Sequence, residues 1–141
     1  MKILAVTVLS SISQELCKHL YYYGPQGVVR RMIEHMLSDH PFPAGFVCSA
    51  QEVGMVAELL VGRNDAHMTR DLLRVVPGIR PAWYVKKNGK QKDDQKRAGT
   101  PGQAIKDGAT HLVIGRPILE GDSLDNVKRT MEEILKAALA A

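Results

Sequence analysis

Four short runs of β-branched and other apolar residues are spaced along the chain. They cover residues 2–9, 44–49, 72–77 and 110–115. Within each run the apolar positions are nearly continuous and do not alternate with polar ones, which is typical of parallel strands covered on both faces. We therefore predict four strands of a parallel sheet.

The first two segments between these runs carry helical signals. Residues 11–23 and 25–39 have apolar positions at helical spacing. Pro25 suits the first turn of the second helix, because that position needs no backbone donor. Ser49 and Glu52 have the spacing of a capping box at the start of a third helix.

Two further helices are predicted in the last third of the chain. Thr100 is the predicted N-cap of the first of them, Pro101 its first residue, Gln103 the capping partner and Gly108 the C-terminal stop. The last helix is predicted over residues 123–139. Its apolar positions recur at helical spacing, and we interpret this stripe as core. The stripe consists of Leu124, Val127, Met131, Ile134, Leu135 and Ala138.

Strands and helices alternate along the chain, which predicts an α/β fold with a parallel sheet and right-handed crossovers. Two architectures fit this order: a small doubly wound sheet and a segment of a (β/α)8 barrel. Composition does not separate them. A complete barrel takes ~250 residues, so four β-α units in 141 residues correspond to about half of one.

Polar residues gather where each predicted strand ends. Both architectures place their ligands at the carboxyl ends of parallel strands, so this edge is the candidate site. The residues at the four strand ends are Ser10 and Ser11, Cys48 and Ser49, Gly78 and Arg80, and Gly115 and Arg116.

Two of these strand ends deliver an arginine next to a glycine. Arg80 follows the third strand in "VVPGIRP", and Arg116 follows the fourth in "VIGRP". A guanidinium matches phosphate or carboxylate with a planar fork of donors, and glycine lets backbone N–H groups approach an anion closely. Each arginine could instead cap a strand or pair with a surface carboxylate. Two arginines on consecutive strands favour phosphate binding.

The net charge of +4 is concentrated in one stretch between these arginines. No aromatic residues are interleaved with it as stacking platforms, so nucleic acid is the least favoured partner. A solvated, mobile loop is the simple interpretation, and a loop that meets a phosphorylated small molecule is the more specific one. The stretch contains Lys86, Lys87, Lys90, Lys92, Lys96 and Arg97.

The cysteines, the histidines and the lengths of the apolar segments narrow the class of protein. Cys17 and Cys48 have neither CxxC nor metal-ligand spacing and lie in apolar contexts, which predicts reduced, buried thiols in a cytoplasmic protein. The five histidines have no metal-like spacing. No segment approaches the ~18 apolar residues that a membrane span needs, so no membrane partner is expected.

Four motifs occur in this order along the chain: "AVTVLSS", "GFVCSAQE", "VVPGIRP" and "DDQKRAGTPGQAIKDGATHLVIGRPI". Together they resemble the carboxyl-terminal half of the orotidine 5′-phosphate decarboxylase family. The resemblance implies that residues 1–141 form a single half-barrel whose strands are the fifth to eighth of a (β/α)8 barrel. It also implies a dimer with sites near the interface and no metal or organic cofactor.

The resemblance implies roles for residues at matching motif positions. Arg116 and the Gly115 backbone would hold the 5′-phosphate of orotidine 5′-phosphate or of a UMP-like nucleotide. Gln95 would reach the phosphate and the base from a lid, and Arg80 would support the same end of the ligand. Ser10, where the family often has threonine, would contact the pyrimidine.

The family's catalytic Asp-x-Lys-x-x-Asp motif has no counterpart in the sequence. The nearest spacing, Asp94 to Lys96, is followed by Gly99 where the second aspartate would stand. We therefore assign no catalytic residue, expect the chain alone to be inactive, and place the first four β-α units of the family pattern before Met1. Two hypotheses remain open. The chain is one half of a decarboxylase, completed by an amino-terminal half, or it is a non-catalytic phosphate-binding half-barrel that self-associates.

Overall fold

The computed structural model describes residues 4–7, 13, 15–16, 24–39, 44–61, 72–88 and 97–140. Within these residues the chain forms a sheet of four parallel strands. Each strand falls inside one of the predicted apolar runs. The strands are β1 (Leu4–Val6), β2 (Gly45–Val47), β3 (Leu73–Val76) and β4 (His111–Leu112).

Helices occupy the connections between the described strands and the end of the chain. None of the described helices is both long enough and apolar enough to cross a membrane. Their bounds are α1 (Gly24–Asp39), α2 (Val53–Val61), α3 (Ala82–Asn88), α4 (Pro101–Lys106), α5 (Arg116–Leu119) and α6 (Ser123–Leu139).

The order of the strands in the sheet separates the two predicted architectures. The order is β1-β2-β3-β4, so each strand lies beside its neighbour in the chain. A doubly wound sheet reverses direction at a switch point and therefore places strands out of chain order. A (β/α)8 barrel adds its strands one after another. The sheet is therefore built in the manner of a barrel segment.

One face of this sheet carries the hydrophobic core. The strand register places Phe46 of β2 beside Arg74 of β3, and Val76 of β3 beside Leu112 of β4. Phe46, Cys48 and Val76 are buried on this face. They pack with side chains of α1, α2 and α4 in one cluster, and burial of such side chains is the main favourable term in folding. The helical members of that cluster are Val29, Ile33, Val53, Val56, Leu60 and Ala104.

The opposite face of the sheet is partly open among the described residues. Val6 pairs in register with Val47, which pairs with Val75, so these three side chains share this face. Val6 is 53% exposed and Leu4 is 41% exposed. Val113, directly after β4, is 49% exposed. The continuous apolar pattern predicted cover on both faces, whereas Leu4, Val6 and Val113 on the second face are substantially exposed in the part of the chain that the structure describes.

The predicted capping signals have mixed outcomes. Residues 11–23, the first predicted helix, lie mostly outside the described residues, whereas Pro25 lies in the first turn of α1 as predicted. Thr100 caps α4 by accepting a hydrogen bond from the Gln103 N–H at 3.3 Å. The Gln103 side chain donates to Asp107 at 2.7 Å, so its predicted bond back to Thr100 is wrong.

The helix α6 has the predicted bounds but presents the other face to the protein. Asn126 and Thr130 are its buried residues, whereas Leu124 is 65% exposed and Met131 is 49% exposed. The Asn126 side-chain amide donates to the carbonyl oxygen of Glu120 at 2.7 Å. A polar contact with the preceding turn therefore fixes the rotation of the helix, and the interpretation of its apolar stripe as core is wrong.

Candidate functional site

The carboxyl ends of β3 and β4 bring the two predicted phosphate arginines to the same edge of the sheet. Val76 and Leu112 are paired in register. Arg80 follows Val76 by four positions, and Arg116 follows Leu112 by four positions. Because parallel strands in register leave the sheet at the same level, both arginines emerge at equivalent points above neighbouring strands.

A tight turn carries the chain from β3 to Arg80. Gly78 has a φ of 75°, a conformation that glycine adopts without the steric cost of a Cβ atom. Pro77 precedes it and restricts φ on the other side of the turn. The Arg80 N–H then donates to the carbonyl oxygen of Gly99 at 2.9 Å. The Pro-Gly pair therefore sets the direction of the backbone after β3, and the hydrogen bond to Gly99 fixes the position of the Arg80 backbone.

The Arg80 side chain is buried against an aromatic ring. Its Nη1 donates to the carbonyl oxygen of Ile79 at 3.2 Å, and its Cζ lies 5.9 Å from the centroid of the Tyr84 ring. The Tyr84 hydroxyl donates to Glu120 Oε2 at 2.8 Å. The Glu120 N–H in turn donates to the carbonyl oxygen of Arg116 at 3.0 Å. A short series of contacts therefore connects the two arginines through Tyr84 and Glu120.

Gly115 and Arg116 form the start of α5. Gly115 is the N-cap, and its carbonyl oxygen accepts hydrogen bonds from the N–H groups of Ile118 and Leu119 at 2.9 and 3.2 Å. A Cβ atom built on it would meet nothing within 4 Å. Packing within the described chain does not require glycine here. The open space leaves the backbone accessible to a ligand.

Two contacts attach α3 to α6 beside Arg80. The Ala82 N–H donates to both carboxylate oxygens of Glu133, at 3.1 and 3.0 Å, which places a negative charge at the positive end of α3. Arg129 lies over the Trp83 ring, with its Cζ 5.9 Å from the ring centroid. Neither contact has a signal in the sequence. Lys86 and Lys87, which the loop interpretation included, belong to α3, which continues to Asn88.

A buried ionic network lies at the end of β2. Glu52 accepts a hydrogen bond from the Ser49 hydroxyl on Oε2 and forms an ion pair with Arg97 on Oε1. The side chains of Glu52 and Arg97 are each 1% exposed. The capping-box pattern therefore marked a real contact between Ser49 and Glu52, but did not indicate a buried charge.

The interpretation of Arg97 as part of a solvated basic loop is wrong. Arg97 lies at the end of the lysine-rich stretch, and its charge is removed from water and paired with Glu52. The only available sequence signal was its residue type, since arginine is favoured over lysine in buried ion pairs. The sequence does not show which carboxylate the arginine meets, because Glu52 lies 45 positions away.

Cys48, the residue before Ser49, is buried and free, as predicted. Burial, and next the nearby Glu52 carboxylate, raises the pKa of the Cys48 thiol from 9.0 to about 12, while the Arg74 guanidinium opposes the shift. The thiol is therefore protonated at neutral pH and is not a nucleophile. Cys17 lies outside the described residues.

The structure describes part of the predicted site. It places Arg80, Gly115 and Arg116 at one edge of the sheet, as the strand pattern indicated. Ser10 and Gln95 lie outside the described residues, and their roles stay predictions.

Comparison with known proteins identifies the family. The sequence model of the orotidine 5′-phosphate decarboxylase / HUMPS family matches residues 1–131. The chain belongs to this family. Curated relatives include the orotidine 5′-phosphate decarboxylases of Caulobacter vibrioides and Alkalilimnicola ehrlichii, each 40% identical over 119 residues and 84% of this chain. The aligned parts are 46% and 44% of those proteins, so the chain spans about half the length of these decarboxylases.

Solved structures show the same relation. A crystal structure of orotidine 5′-phosphate decarboxylase from Lactobacillus acidophilus is similar with a TM-score of 0.54 and 30% identity, over 94% of this chain and 49% of that chain. An uncharacterized conserved protein from Geobacillus kaustophilus, 23% identical with a TM-score of 0.55 over 48% of its length, shows the fold alone. The predicted α/β half-barrel is confirmed.

Proposed function

We propose that this chain is the phosphate-binding half of an orotidine 5′-phosphate decarboxylase, which converts orotidine 5′-phosphate to UMP and CO2 in pyrimidine biosynthesis. One observation carries the proposal: Arg80 and Arg116 leave neighbouring strands at equivalent points in a chain of this family. In this proposal residues 1–141 act as a single half-barrel domain in the cytoplasm.

Each residue of the proposed site has its own role in binding the ligand. Arg116 offers a guanidinium fork to the 5′-phosphate, and the exposed backbone of Gly115 lets that phosphate approach closely. Arg80 is buried. It therefore supports the phosphate end of the ligand from within the protein and does not wrap around the phosphate. Gln95 reaches the phosphate and base, and Ser10 contacts the pyrimidine.

Chemistry in this proposal requires a second half. A complementary (β/α)4 unit, in the same or another polypeptide, would carry the Asp-x-Lys-x-x-Asp motif, whose lysine protonates the carbon that loses CO2. The phosphate lies away from the breaking bond. Its contacts therefore act by supplying remote binding energy that holds the reacting geometry. The open apolar face of the sheet is the surface such a unit would cover.

A second candidate function rests on that same open face. The exposed side chains of Leu4, Val6 and Val113 would also be covered if two copies of the chain packed face to face. In that case the protein would be a self-associating half-barrel that binds a phosphorylated ligand without decarboxylating it.

The binding site is tested by calorimetric titration with UMP and with uridine, which lacks the phosphate. The parent should bind UMP and not uridine. Arg116→Ala should weaken UMP binding about 10- to 100-fold, because a hydrogen bond to a charged group contributes about 1.5–3 kcal/mol. Gly115→Ala should also weaken binding, because its Cβ would occupy the open space beside the backbone through which the phosphate approaches.

Arg30→Ala is the matched control. Arg30 is an exposed arginine on α1 that pairs with Glu34, so its removal changes the net charge equally without touching the strand ends. Its affinity for UMP should equal that of the parent. Equal affinity of Arg116→Ala and the parent would refute the site.

The two candidate functions are separated by turnover and assembly. The chain alone should not deplete orotidine 5′-phosphate, which is followed by absorbance. Addition of the amino-terminal half of the Caulobacter vibrioides relative should restore turnover and give a one-to-one complex. Homodimers that remain inactive in that mixture would favour the second function, and turnover by the chain alone would refute the need for another half.

A further inference from the structure

Residues 97–99, at the end of the lysine-rich stretch, are held between two strand ends. Gly99 pairs with Ile79 as a parallel bridge just beyond β3. On its other side, a Cβ atom placed on Gly99 would lie 2.4 Å from the Cβ of Ala50, in the turn after β2. Glycine is required here because the backbone packs directly against Ala50. The segment therefore fills the space between the ends of β2 and β3.

The Gly99 carbonyl oxygen is the hydrogen-bond partner of the Arg80 backbone. The Arg80 N–H donates to it at 2.9 Å. The position of Arg80 above the sheet therefore depends on the position of Gly99, which is two residues from Arg97.

Arg97 also attaches this segment to the turn between β2 and α2. Its guanidinium is paired with Glu52, and the other carboxylate oxygen of Glu52 accepts from Ser49. Removing two such charges from water costs several kcal/mol per ion in real proteins. A contact of two apolar side chains would bury the same volume at less cost, so stability alone does not account for the ionic pair. Buried polar and ionic contacts specify a geometry in some proteins, as a single buried asparagine does for the register of a coiled coil.

We propose that Glu52 and Arg97 are positioning residues whose ion pair holds Arg80 in the place from which it supports the phosphate. This proposal rests on the phosphate site proposed above. The ion pair fixes the segment at residues 97–99, Gly99 fixes the Arg80 backbone, and the Arg80 side chain lies over Tyr84. Ser49 orients the Glu52 carboxylate from the β2 side.

The test replaces the ion pair by an apolar pair of similar size, Glu52→Met with Arg97→Met. Each single substitution leaves an uncompensated buried charge and should lower the urea midpoint of unfolding. The double variant should recover most of that decrease. Despite that recovery, the double variant should bind UMP at least tenfold more weakly than the parent. A double variant that is stable and binds UMP with the parent affinity would overturn the proposal.

A second readout does not depend on the ligand. Hydrogen exchange of the Arg80 amide, followed by NMR, should be at least tenfold faster in the double variant, because Gly99 no longer holds it. The Cys48 amide, which donates to Val75 within the β2–β3 region at 3.0 Å, is the internal control and should keep its protection. Unchanged protection of the Arg80 amide would refute the positioning role.

These readouts distinguish the two proposals. If the parent fails to bind UMP, the phosphate site is wrong, and the exchange result still decides whether Glu52 and Arg97 position Arg80. If the double variant does not fold, Arg97→Lys and Glu52→Gln replace it. The lysine keeps the charge and should retain most of the Arg80 protection, whereas the neutral glutamine should lose it. Equal protection in these two variants would overturn the proposal.

Discussion

The two faces of the parallel sheet are made of the same kinds of residue and have opposite environments. On the helix side, Phe46 and Val76 are fully buried under α1, α2 and α4. On the other side, Val6 and Val113 are about half exposed. Both faces are apolar because each strand is a nearly continuous hydrophobic run.

The strand sequences are suited to a structure in which both faces of the sheet are covered. Among the described residues only one face is fully covered. Exposure of valine side chains to water is unfavourable. Exposed apolar patches mark surfaces that meet another protein element. In a (β/α)8 barrel this face is the packed interior. The exposed apolar residues on this face agree with the finding that the chain spans about half the length of these relatives.

The largest expected difference between the faces lies in stability. Phe46→Ala should lower the free energy of unfolding by about 3–5 kcal/mol, because it removes a fully buried ring and leaves a cavity. Urea denaturation followed by circular dichroism measures this. A loss below about 1 kcal/mol would mean that the helix-covered face is not the core.

A smaller effect is expected from Cys48 on the same covered face. Its folded pKa, about 12, is above the ordinary 9.0. Its contribution to stability is therefore complete below pH 9 and is lost as the pH rises towards 12. Between pH 9 and 10 the loss should be about 1 kcal/mol. Comparison of Cys17→Ser with Cys17→Ser/Cys48→Ala isolates this term, and equal pH slopes in the two proteins would show that the thiol is not buried.

The smallest effect on stability is expected on the open face. Val113→Lys should change the free energy of unfolding of the dissociated chain by no more than about 0.5 kcal/mol, since the side chain is half exposed. The same charge should prevent association with a second half or a second copy, which analytical ultracentrifugation detects. A stability loss comparable to that of Phe46→Ala would mean that this face is covered within the chain.

Periodicity and turn chemistry predicted the local structure well. The four apolar runs contain the four described strands, and α6 has the predicted bounds because its sequence carries helical spacing throughout. Gly78 and Gly108 adopt the positive φ values that a turn and a helix stop require. These features depend on residues close together in the sequence, so the sequence contains the information directly.

Contacts between distant residues were predicted poorly. The rotation of α6 was wrong, because apolar spacing identifies a stripe but not the surface that it meets, and Asn126 fixes the helix through a polar bond. The burial of Arg97 was missed for the same reason, since its partner Glu52 belongs to another strand end. At the candidate site, both arginines were identified by residue type and strand position, but the connection between them through Tyr84 and Glu120 was not.

By itself the sequence determined the alternation of strands and helices, the strand ends that carry Arg80 and Arg116, and the resemblance to one decarboxylase family. Only the tertiary structure decided the order of the strands, which face of the sheet is covered, and which charges are buried. The physical reason is that periodicity and turn preference are properties of neighbouring residues. Burial and ion pairing depend instead on where the packed chain places residues that are far apart in sequence.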